Sequence, residues 1–280
     1  MQKVFKKHFF ILVLPTLVAF SIAFIIPFIL GIYLSFTKFT TVTDAQWIGW
    51  ENYFMAFKDK DFLQSLWFTI KFAVVNVISI NLVAFFLAYV LSRKVRGTNF
   101  FRTVIFMPNL LGGIVLGYIW QLLINGVLVL FKTTITAKAE YGFWGMVIAM
   151  NWQLIGYMMI IYIASIQNIS DEIKEAALID GVSGRQMITK IILPLIMPAI
   201  TICLFMTTTN SFKMFDLNLA LTAGLPGKET SLVALDIYNS FYNRIGYEGV
   251  GQAKAVIFFV IVAVISISQL VITRKREVEN

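Results

Sequence analysis

The sequence predicts an all-α membrane protein with six transmembrane helices, on grounds of composition and of segment length. Hydrophobic residues make up 59% of the 280 residues and charged residues 14%, whereas a soluble globular chain is about half apolar and a quarter charged. Apolar runs longer than about 18 residues recur along the chain, which is enough for a helix to cross a bilayer. Backbone groups in lipid must be paired within their own segment, so helices are expected.

The predicted spans follow from length and hydropathy. The first run is too long for the apolar part of a signal peptide and lacks an Ala-x-Ala-type cleavage site, so we expect it to remain as a span. No Ser/Gly-rich linker separates the apolar runs, and residues 1–280 are therefore predicted to form one membrane domain. The spans are placed at residues 9–36, 66–92, 101–124, 142–167, 194–213 and 253–273.

The basic residues predict the orientation of these spans. With a cytoplasmic N-terminus, the short inside segments hold the Lys and Arg residues within 3–7, 93–102, 174–190 and 274–276, while the outside loops spread theirs over longer sequence. Positive charge favours the cytoplasmic side, so both termini are predicted to be cytoplasmic. The net charge of +8 is thus explained by topology rather than by a nucleic-acid partner.

A polar interruption at residues 169–199 has the pattern of a helix, a glycine turn and a second helix. Ser170 is placed to cap the first helix, and acidic residues follow in its first turn, where the helix dipole favours them. Gly181 is placed to end that helix in a left-handed conformation. A second short helix is predicted at 185–193, before Pro194. The alternative is a solvated connection between two spans.

Fixed spacings in this segment resemble those of a known family. Glu175-Ala176-Ala177, Asp180-Gly181, Ile192-Leu193-Pro194 and Pro198 resemble the E-A-A, D-G, L-P-x-x-x-P signature of binding-protein-dependent ABC importer permeases. Further motifs resemble the permeases for oligosaccharides and glycerol phosphate, the group that includes the maltose and lactose permeases. They include Trp50-Glu51-Asn52-Tyr53 and Phe215-Asp216, and the resemblance extends over nearly the whole chain, with Gly224-Leu225-Pro226 where Gly-Gly-Pro is common.

The resemblance implies a type I ABC importer permease fold with a cytoplasmic coupling loop at 170–193. In this family the signature helix docks on a separate nucleotide-binding subunit, and the matching positions here are Glu175, Ala176, Ala177, Asp180 and Gly181. The implied partners are a second homologous permease, two ATP-binding cassette subunits that bind ATP and Mg²⁺, and an extracytoplasmic solute-binding protein. The implied location is the cytoplasmic membrane of a bacterium or an archaeon.

The sequence agrees with this division of labour. No G-x-x-x-x-G-K-[ST] phosphate-binding loop occurs in it, and no nucleophilic triad, paired catalytic carboxylates or metal-ligand cluster is found. The chain is therefore predicted not to be an enzyme and to carry no cofactor or metal of its own.

Polar residues within the fourth and fifth spans are candidates for the substrate pathway. Such groups are costly in a bilayer and often line a pathway, and a sugar needs hydrogen-bonding groups together with an aromatic ring. The alternatives are that Ser, Thr and Asn join neighbouring helices and that Lys213 reaches the outer surface. By the resemblance, Tyr157, Asn210, Ser211 and Lys213 are expected to line the pathway, with Asn151 and Gln153 behind them.

Three smaller features also yield expectations. Asn76 and Asn81 in the second span are expected to join helices rather than bind substrate. Residues 232–241 have apolar residues at helical spacing, which predicts an amphipathic helix or an ordered loop. Asp59 and Asp61 alternate with lysines, which is typical of a solvated run of charges.

The function predicted from these observations is translocation of a sugar, preferably a neutral oligosaccharide. Glycerol phosphate or another small polar solute is the first alternative, because the family includes such permeases. A stand-alone secondary transporter would be expected to show more intramembrane charge or an internal repeat. An intramembrane enzyme would need ionisable catalytic residues within its spans, and these are missing from the sequence.

Overall fold

A computed structural model describes residues 13–93 and 97–275. The predicted start of the first span at residue 9 and the basic residues Lys3, Lys6 and Lys7 lie outside the described residues. Contacts group the chain into two compact units: one joins the described residues up to Phe62 with Ile237–Phe259, and the other joins Leu63–Asp236 with the described residues from Val260. The single domain expected over residues 1–280 stays a prediction.

The described part of the chain is predominantly helical and has up to six candidate spans, which confirms the predicted all-α membrane fold. Five helices are long and apolar enough to cross a membrane, and a bent pair of helices supplies the sixth span. The only sheet among the described residues is a two-stranded hairpin of β1 (Thr37–Lys38) and β2 (Gln46–Trp47). The helices are α1 (Val13–Leu34), α2 (Glu51–Lys58), α3 (Lys60–Leu91), α4 (Thr98–Phe106), α5 (Gly113–Phe131), α6 (Ala139–Gln167), α7 (Asp171–Ile179), α8 (Gly184–Leu195), α9 (Met197–Phe212), α10 (Asp216–Leu221), α11 (Val233–Tyr242) and α12 (Glu248–Arg274).

The third span differs from its prediction. Residues 101–124 are not one helix, because α4 ends at Phe106 and a short 3₁₀ turn, Met107–Leu110, separates it from α5. Pro108 lies in that turn, where it has no N–H to donate to an α-helix. The long apolar helix therefore begins at Gly113, about one helical turn after Pro108.

The fifth span is also bent. Its helix α9 begins at Met197 rather than at 194, and α8 meets it at an angle of 74° across Ile196. Pro194 and Pro198 each stand at the first or second position of a helical segment, where a missing backbone N–H is tolerated.

Asn52 organises the first compact unit. Its side-chain amide donates to the carbonyl oxygens of Ser35 at 3.0 Å and Thr37 at 2.8 Å, which ties α2 to the backbone that follows α1. Gly249 at the start of α12 approaches the same place, and a Cβ there would come within 2.6 Å of the Asn52 amide. The buried Asn52 thus has a structural role, and this role explains why the Trp50–Tyr53 motif contains an asparagine at this position.

An ion-pair cluster lies in the same unit, and it contradicts the prediction that Asp59 and Asp61 are simply solvated. Asp59 accepts hydrogen bonds from Arg244 at 2.8 Å and from Lys254 at 2.9 Å, and Asp61 accepts from Arg244 at 2.6 Å. Lys254 is 0% exposed and also donates to the hydroxyl of Ser240 at 2.7 Å. Both cationic partners lie more than 180 positions away in the sequence, so the local pattern did not reveal them.

The second compact unit is built around α6. Its core includes the buried side chains of Met146, Met150, Met158 and Tyr162 on this helix. Gly156 allows the backbone of α4 to approach closely, since a Cβ at this position would collide with the carbonyl group of Ile105. Small residues commonly permit such close helix packing in membranes.

Polar residues join three helices inside this core. Asn76 of α3 accepts from Asn151 of α6 at 2.9 Å. Asn81 of α3 accepts from Tyr162 of α6 at 2.7 Å and donates to Thr207 of α9 at 2.9 Å. Asn76 and Asn81 therefore hold helices together, as predicted.

We predict that Asp59→Asn destabilises the protein by about 2–3 kcal/mol, because it weakens charge-assisted hydrogen bonds to two cations. Asp61→Asn, at a side chain that is 33% exposed, should cost less than about 1 kcal/mol. The measurement is thermal unfolding of both purified variants in the same detergent. Equal losses of stability would contradict the central position assigned to Asp59.

The pH dependence of this contribution has a definite sign. Burial alone would raise the pKa of Asp59, but the hydrogen bond and charge of Lys254 and the charge of Arg244 outweigh it, so the pKa lies below its ordinary value of 3.8. Since the folded-state pKa is depressed, the stabilisation is complete above pH 3.8 and is lost as the pH falls through the lower folded-state value.

Candidate functional site

The segment after α6 folds as its sequence predicts, into an N-capped helix that is stabilised by residues close in sequence. Three residues after α6 ends at Gln167, Ser170 caps α7 and its hydroxyl accepts from the backbone N–H of Ile173 at 3.5 Å. Asp171 lies in the first turn of the helix and pairs with Lys174 at 3.2 Å. The acidic side of this turn faces the positive end of the helix dipole.

The predicted glycine turn ends α7. Gly181 has a φ of +73°, and nothing lies within 4 Å of a Cβ built on it, so the backbone angle rather than space requires glycine. The N–H of Gly181 donates to the carbonyl of Leu178 at 3.1 Å and that of Val182 to Ala177 at 3.0 Å, which is the bonding of a Schellman motif. Ser183 then forms a capping box with Gln186 at the start of α8.

The surface of α7 differs in part from the predicted contact face. Glu175, Ala176, Asp180 and Gly181 are exposed, as a docking surface requires, whereas Ala177 is buried within its own chain. Of these two neighbouring alanines, Ala176 is thus open to a partner and Ala177 is covered by its own chain. Helical periodicity accounts for this, because neighbouring positions on a helix point about 100° apart.

Two apolar residues on this helix were missed by the sequence analysis. Leu178 is 65% exposed and Ile179 is 86% exposed, next to the exposed Asp180. The signal was present in the sequence, since both residues lie in a short charged helix outside the spans. Apolar side chains exposed together on such a helix are typical of a protein-binding surface.

A cavity of about 300 Å³ lies where α9 ends and the third span is interrupted. Three of the six predicted pathway residues line it, namely Gln153, Asn210 and Lys213. The remaining lining residues are Gly113, Met214, Phe215 and Asp216. Gln153 is 14 positions from each end of α6, so the cavity lies near the middle of that span.

Hydrogen bonds to backbone carbonyls position two of the lining side chains. The amide nitrogen of Gln153 donates at 3.0 Å to the carbonyl of Leu111, which is freed by the interruption between α4 and α5. Asn210 donates at 2.9 Å to the carbonyl of Met206 in the last turns of α9. Among the described residues, neither amide oxygen receives a hydrogen bond, so both remain available to donors of a solute.

Gly113 brings α5 and α10 together beside these amides. A Cβ on Gly113 would lie 2.8 Å from the Cβ of Asp216, so a side chain there would displace the carboxylate. Phe215 and Asp216 appear in the sequence motif that carries the family resemblance, but they had not been predicted to line a cavity. Their place in that motif could have identified them as candidates. Gly113 could not have been identified in this way, because it belongs to a span that is distant in the sequence.

The other three predicted pathway residues do not line this cavity. Asn151 is engaged with Asn76 at 2.9 Å and with the carbonyl of Val147 at 2.9 Å, which makes it a link between helices. Ser211 is fully buried and donates to the carbonyl of Thr207 at 2.7 Å, so it does not face this cavity.

Tyr157 also lies outside the cavity lining. It packs near Phe106 of α4, with ring centroids 6.5 Å apart. It is one helical turn from Gln153 on α6, but the neighbouring α4 covers this part of the helix.

The lining is balanced in formal charge. Lys213 supplies the one cation and Asp216 the one anion among its described residues. Phe215 adds an aromatic side chain, and the two amides add hydrogen-bonding groups. Chemically, the cavity offers polar contacts and an apolar ring without a net charge, and it contains no arrangement of groups suited to bond cleavage.

Comparisons with known proteins agree with the resemblance. A family profile described as binding-protein-dependent transport system inner membrane component matches residues 80–278. The probable starch degradation products transport system permease protein AmyD of Thermoanaerobacterium thermosulfurigenes is 43% identical, over 99% of this chain and 98% of its own length. The trehalose/maltose transport system permease protein MalF of Thermococcus litoralis is 27% identical, over 95% of this chain and 94% of its own.

A solved structure shares the fold. A chain in the crystal structure of a bacterial alginate ABC transporter, in complex with an alginate pentasaccharide-bound periplasmic protein, matches with a TM-score of 0.82. The match covers 98% of this chain and 97% of the other, at 20% identity. On the family profile and the full-length relatives together, this multi-pass membrane protein belongs to the family of inner-membrane components of binding-protein-dependent transport systems.

Proposed function

We propose that the chain is the permease subunit of an ATP-driven importer that translocates a neutral oligosaccharide delivered by an extracytoplasmic binding protein. The observation that carries this proposal is the cavity near the middle of α6. Its lining contains two available amide oxygens, one aromatic ring, one positive charge and one negative charge. Sugar hydroxyls donate to amide oxygens, and the apolar face of a sugar ring packs on an aromatic side chain.

The charge balance favours a neutral solute over glycerol phosphate. A phosphate or uronate needs a surplus of cationic donors, and Asp216 offsets Lys213 in the lining. The relatives named for starch degradation products and for trehalose and maltose support the same class of solute. A permease for glycerol phosphate remains the alternative that the substrate measurement below separates.

The ATP-binding partner is proposed to dock on α7. Exposed Leu178 and Ile179 supply an apolar contact, and Glu175, Ala176, Asp180 and Gly181 surround it. ATP and Mg²⁺ are bound by two such partner subunits, and the chain itself catalyses no reaction. A second homologous permease completes the membrane part, and a binding protein docks on the opposite side, as the solved alginate transporter complex suggests.

The segment from α7 to α8 is suited to transmit the movement of the ATP-binding subunits. It is joined directly to α6, which carries Gln153, and through α8 to α9, which carries Asn210 and Lys213. Closure of the ATP-binding subunits would therefore act on two walls of the cavity at once. Binding free energy would shift the equilibrium between inward-facing and outward-facing states.

The chain is proposed to lie in the cytoplasmic membrane of a bacterium or an archaeon with both termini inside. This orientation would put Arg274 and Lys275 at the end of α12, together with Lys174, Arg185 and Lys190 of α7 and α8, on the cytoplasmic side. Basic residues beside spans favour the cytoplasmic side.

We predict that Ile179→Asp weakens binding of the ATP-binding subunit by about 2 kcal/mol, as loss of a central apolar contact does. This corresponds to roughly 30-fold in Kd. The matched control is Ile245→Asp, at another strongly exposed isoleucine, located between α11 and α12. Co-purification and titration of the ATP-binding subunit measure the effect, and equal weakening by both substitutions would refute the docking proposal.

A second prediction tests the cavity. Gln153→Ala removes one amide and should lower uptake of a neutral oligosaccharide by about five- to tenfold at low concentration, as the loss of a hydrogen bond worth about 1–1.5 kcal/mol implies. Gln121→Ala is the control, because Gln121 also donates to a backbone carbonyl at 3.0 Å but lies outside the cavity. If Gln121→Ala reduced uptake as strongly, the loss would reflect helix packing and not substrate contact.

A third prediction concerns the class of substrate. Asp216→Asn leaves Lys213 as the only charged residue of the lining, so a uronic-acid oligosaccharide should begin to inhibit uptake of the neutral one. Competition assays in proteoliposomes containing the assembled transporter and its binding protein measure this. Strong inhibition of the wild type by glycerol phosphate would instead support the alternative substrate.

A further inference from the structure

A second cleft in the larger unit is not used by the proposed transport cycle. Its volume is about 550 Å³, and it lies between the first part of α3 and the start of α6. Since α7 follows the other end of α6, this cleft is at the opposite membrane face from residues 170–193, which are called the signature segment below. The lining residues are Gln64, Trp67, Phe68, Lys71, Val75, Ala139, Glu140, Phe143, Trp144 and Glu229.

The loop that brings Glu229 to the cleft is held in place by buried hydrogen bonds. Asn218 donates to the carbonyl of Thr230 at 2.9 Å and accepts from the N–H of Leu232 at 2.9 Å. The next residue, Val233, donates to the hydroxyl of Thr69 on α3 at 2.9 Å. Glu229 thus belongs to a loop that these hydrogen bonds hold against α3 and α10.

An aromatic wall forms the back of the cleft. Phe143 is almost fully buried and packs edge-on against Phe68 at 5.6 Å and Trp144 at 5.3 Å between ring centroids. The ammonium group of Lys71 lies 5.5 Å from the centroid of the Phe143 ring. Lys71 therefore leans across from α3 toward the Phe143 ring on α6.

The cleft brings both signs of charge together. Lys71 provides a cation, and Glu140 and Glu229 provide two carboxylates. Within the described chain, neither carboxylate has an ion-pair or hydrogen-bond partner. A ligand that carries one anionic and one cationic group would complement this set.

The depth of the cleft in the membrane identifies the kind of ligand. The 32 residues of α3 exceed the roughly 20 that cross the hydrocarbon core, so the first part of the helix reaches the headgroup layer. Trp67 and Trp144 are exposed at the mouth of the cleft, as aromatic residues at a membrane interface are.

Toward the membrane interior the lining becomes apolar. From Gln64 to Val75 the cleft follows α3 over 12 residues, about 16 Å at the helical rise per residue. Ile78 and Leu82 on α3 and Ile148 on α6 continue as exposed apolar side chains beyond it. The change from polar to apolar along one direction matches an amphiphile and not a sugar.

We propose that this cleft binds the headgroup of a zwitterionic phospholipid bearing a primary amine, in the leaflet opposite the signature segment. Lys71 holds the phosphate, while Glu140 and Glu229 accept hydrogen bonds from the ammonium group beside the aromatic wall. An acyl chain extends along Val75 and the exposed side chains below it. The site is independent of the proposed sugar cavity, because the two share no lining residue.

The test is native mass spectrometry of the assembled transporter after delipidation and exposure to equimolar phosphatidylethanolamine, phosphatidylcholine and phosphatidylglycerol with identical acyl chains. The wild type should retain phosphatidylethanolamine preferentially. Lys71→Ala should lower this retention about tenfold, as expected for a charge-assisted hydrogen bond, and Lys71→Arg should restore it. The control is Lys132→Ala, at an exposed lysine just beyond α5 and outside the cleft.

A double variant tests the carboxylates separately. Glu140→Gln with Glu229→Gln leaves the cation in place, so it should lose the preference for the amine headgroup and retain phosphatidylglycerol instead. Equal retention of all three lipids by the wild type, or equal loss in Lys132→Ala, would overturn the proposal. Retention of added maltoheptaose in place of lipid would also overturn it. So would unchanged lipid retention in every variant, as expected if the second permease covers the cleft.

Discussion

The approach of α4 to α6 at Gly156 is the contact on which the central cavity depends. No side chain separates the two backbones there, because a Cβ would collide with the carbonyl group of Ile105. The close packing holds the end of α4 against α6, just before Pro108 interrupts the third span, and the interruption leaves the carbonyl of Leu111 free to accept from Gln153. In lipid, such a carbonyl must find a partner, and the residue that satisfies it also turns its amide toward the cavity.

The same residue types serve two purposes in these spans, and only their neighbours distinguish them. Asn151 and Asn210 are both asparagines within apolar helices, but Asn151 reaches Asn76 on another helix. Asn210, by contrast, bonds among the described residues only to its own helix, and it borders open space. The first stabilises the packing of α3 on α6, and the second is available to a solute. A polar residue within a span therefore does not by itself show whether it joins helices or contacts a solute; its neighbours in the structure do.

Local features could be read from the sequence, and features built by distant residues could not. The Ser170 cap and the Gly181 turn each depend on residues within a few positions, so both were predicted from the sequence and are found in the structure. The pairing of Asp59 with Lys254 and the meeting of Gly113 with Asp216 join residues more than 100 positions apart. Spacing along one chain segment carries no record of such contacts.

The geometry of α9 explains how a small movement of the signature segment could change the cavity. This helix has 16 residues, about 24 Å at the helical rise, with the bend at Ile196 at one end and Asn210 and the cavity at the other. Pro194 and Pro198 beside the bend have no N–H to donate, so reorienting the helices there breaks fewer backbone bonds. A rotation of about 10° at the bend would displace the far end by about 4 Å, given that helix length. A sphere of about 300 Å³ is roughly 8 Å across, so a displacement of half that width is enough to open or close the cavity.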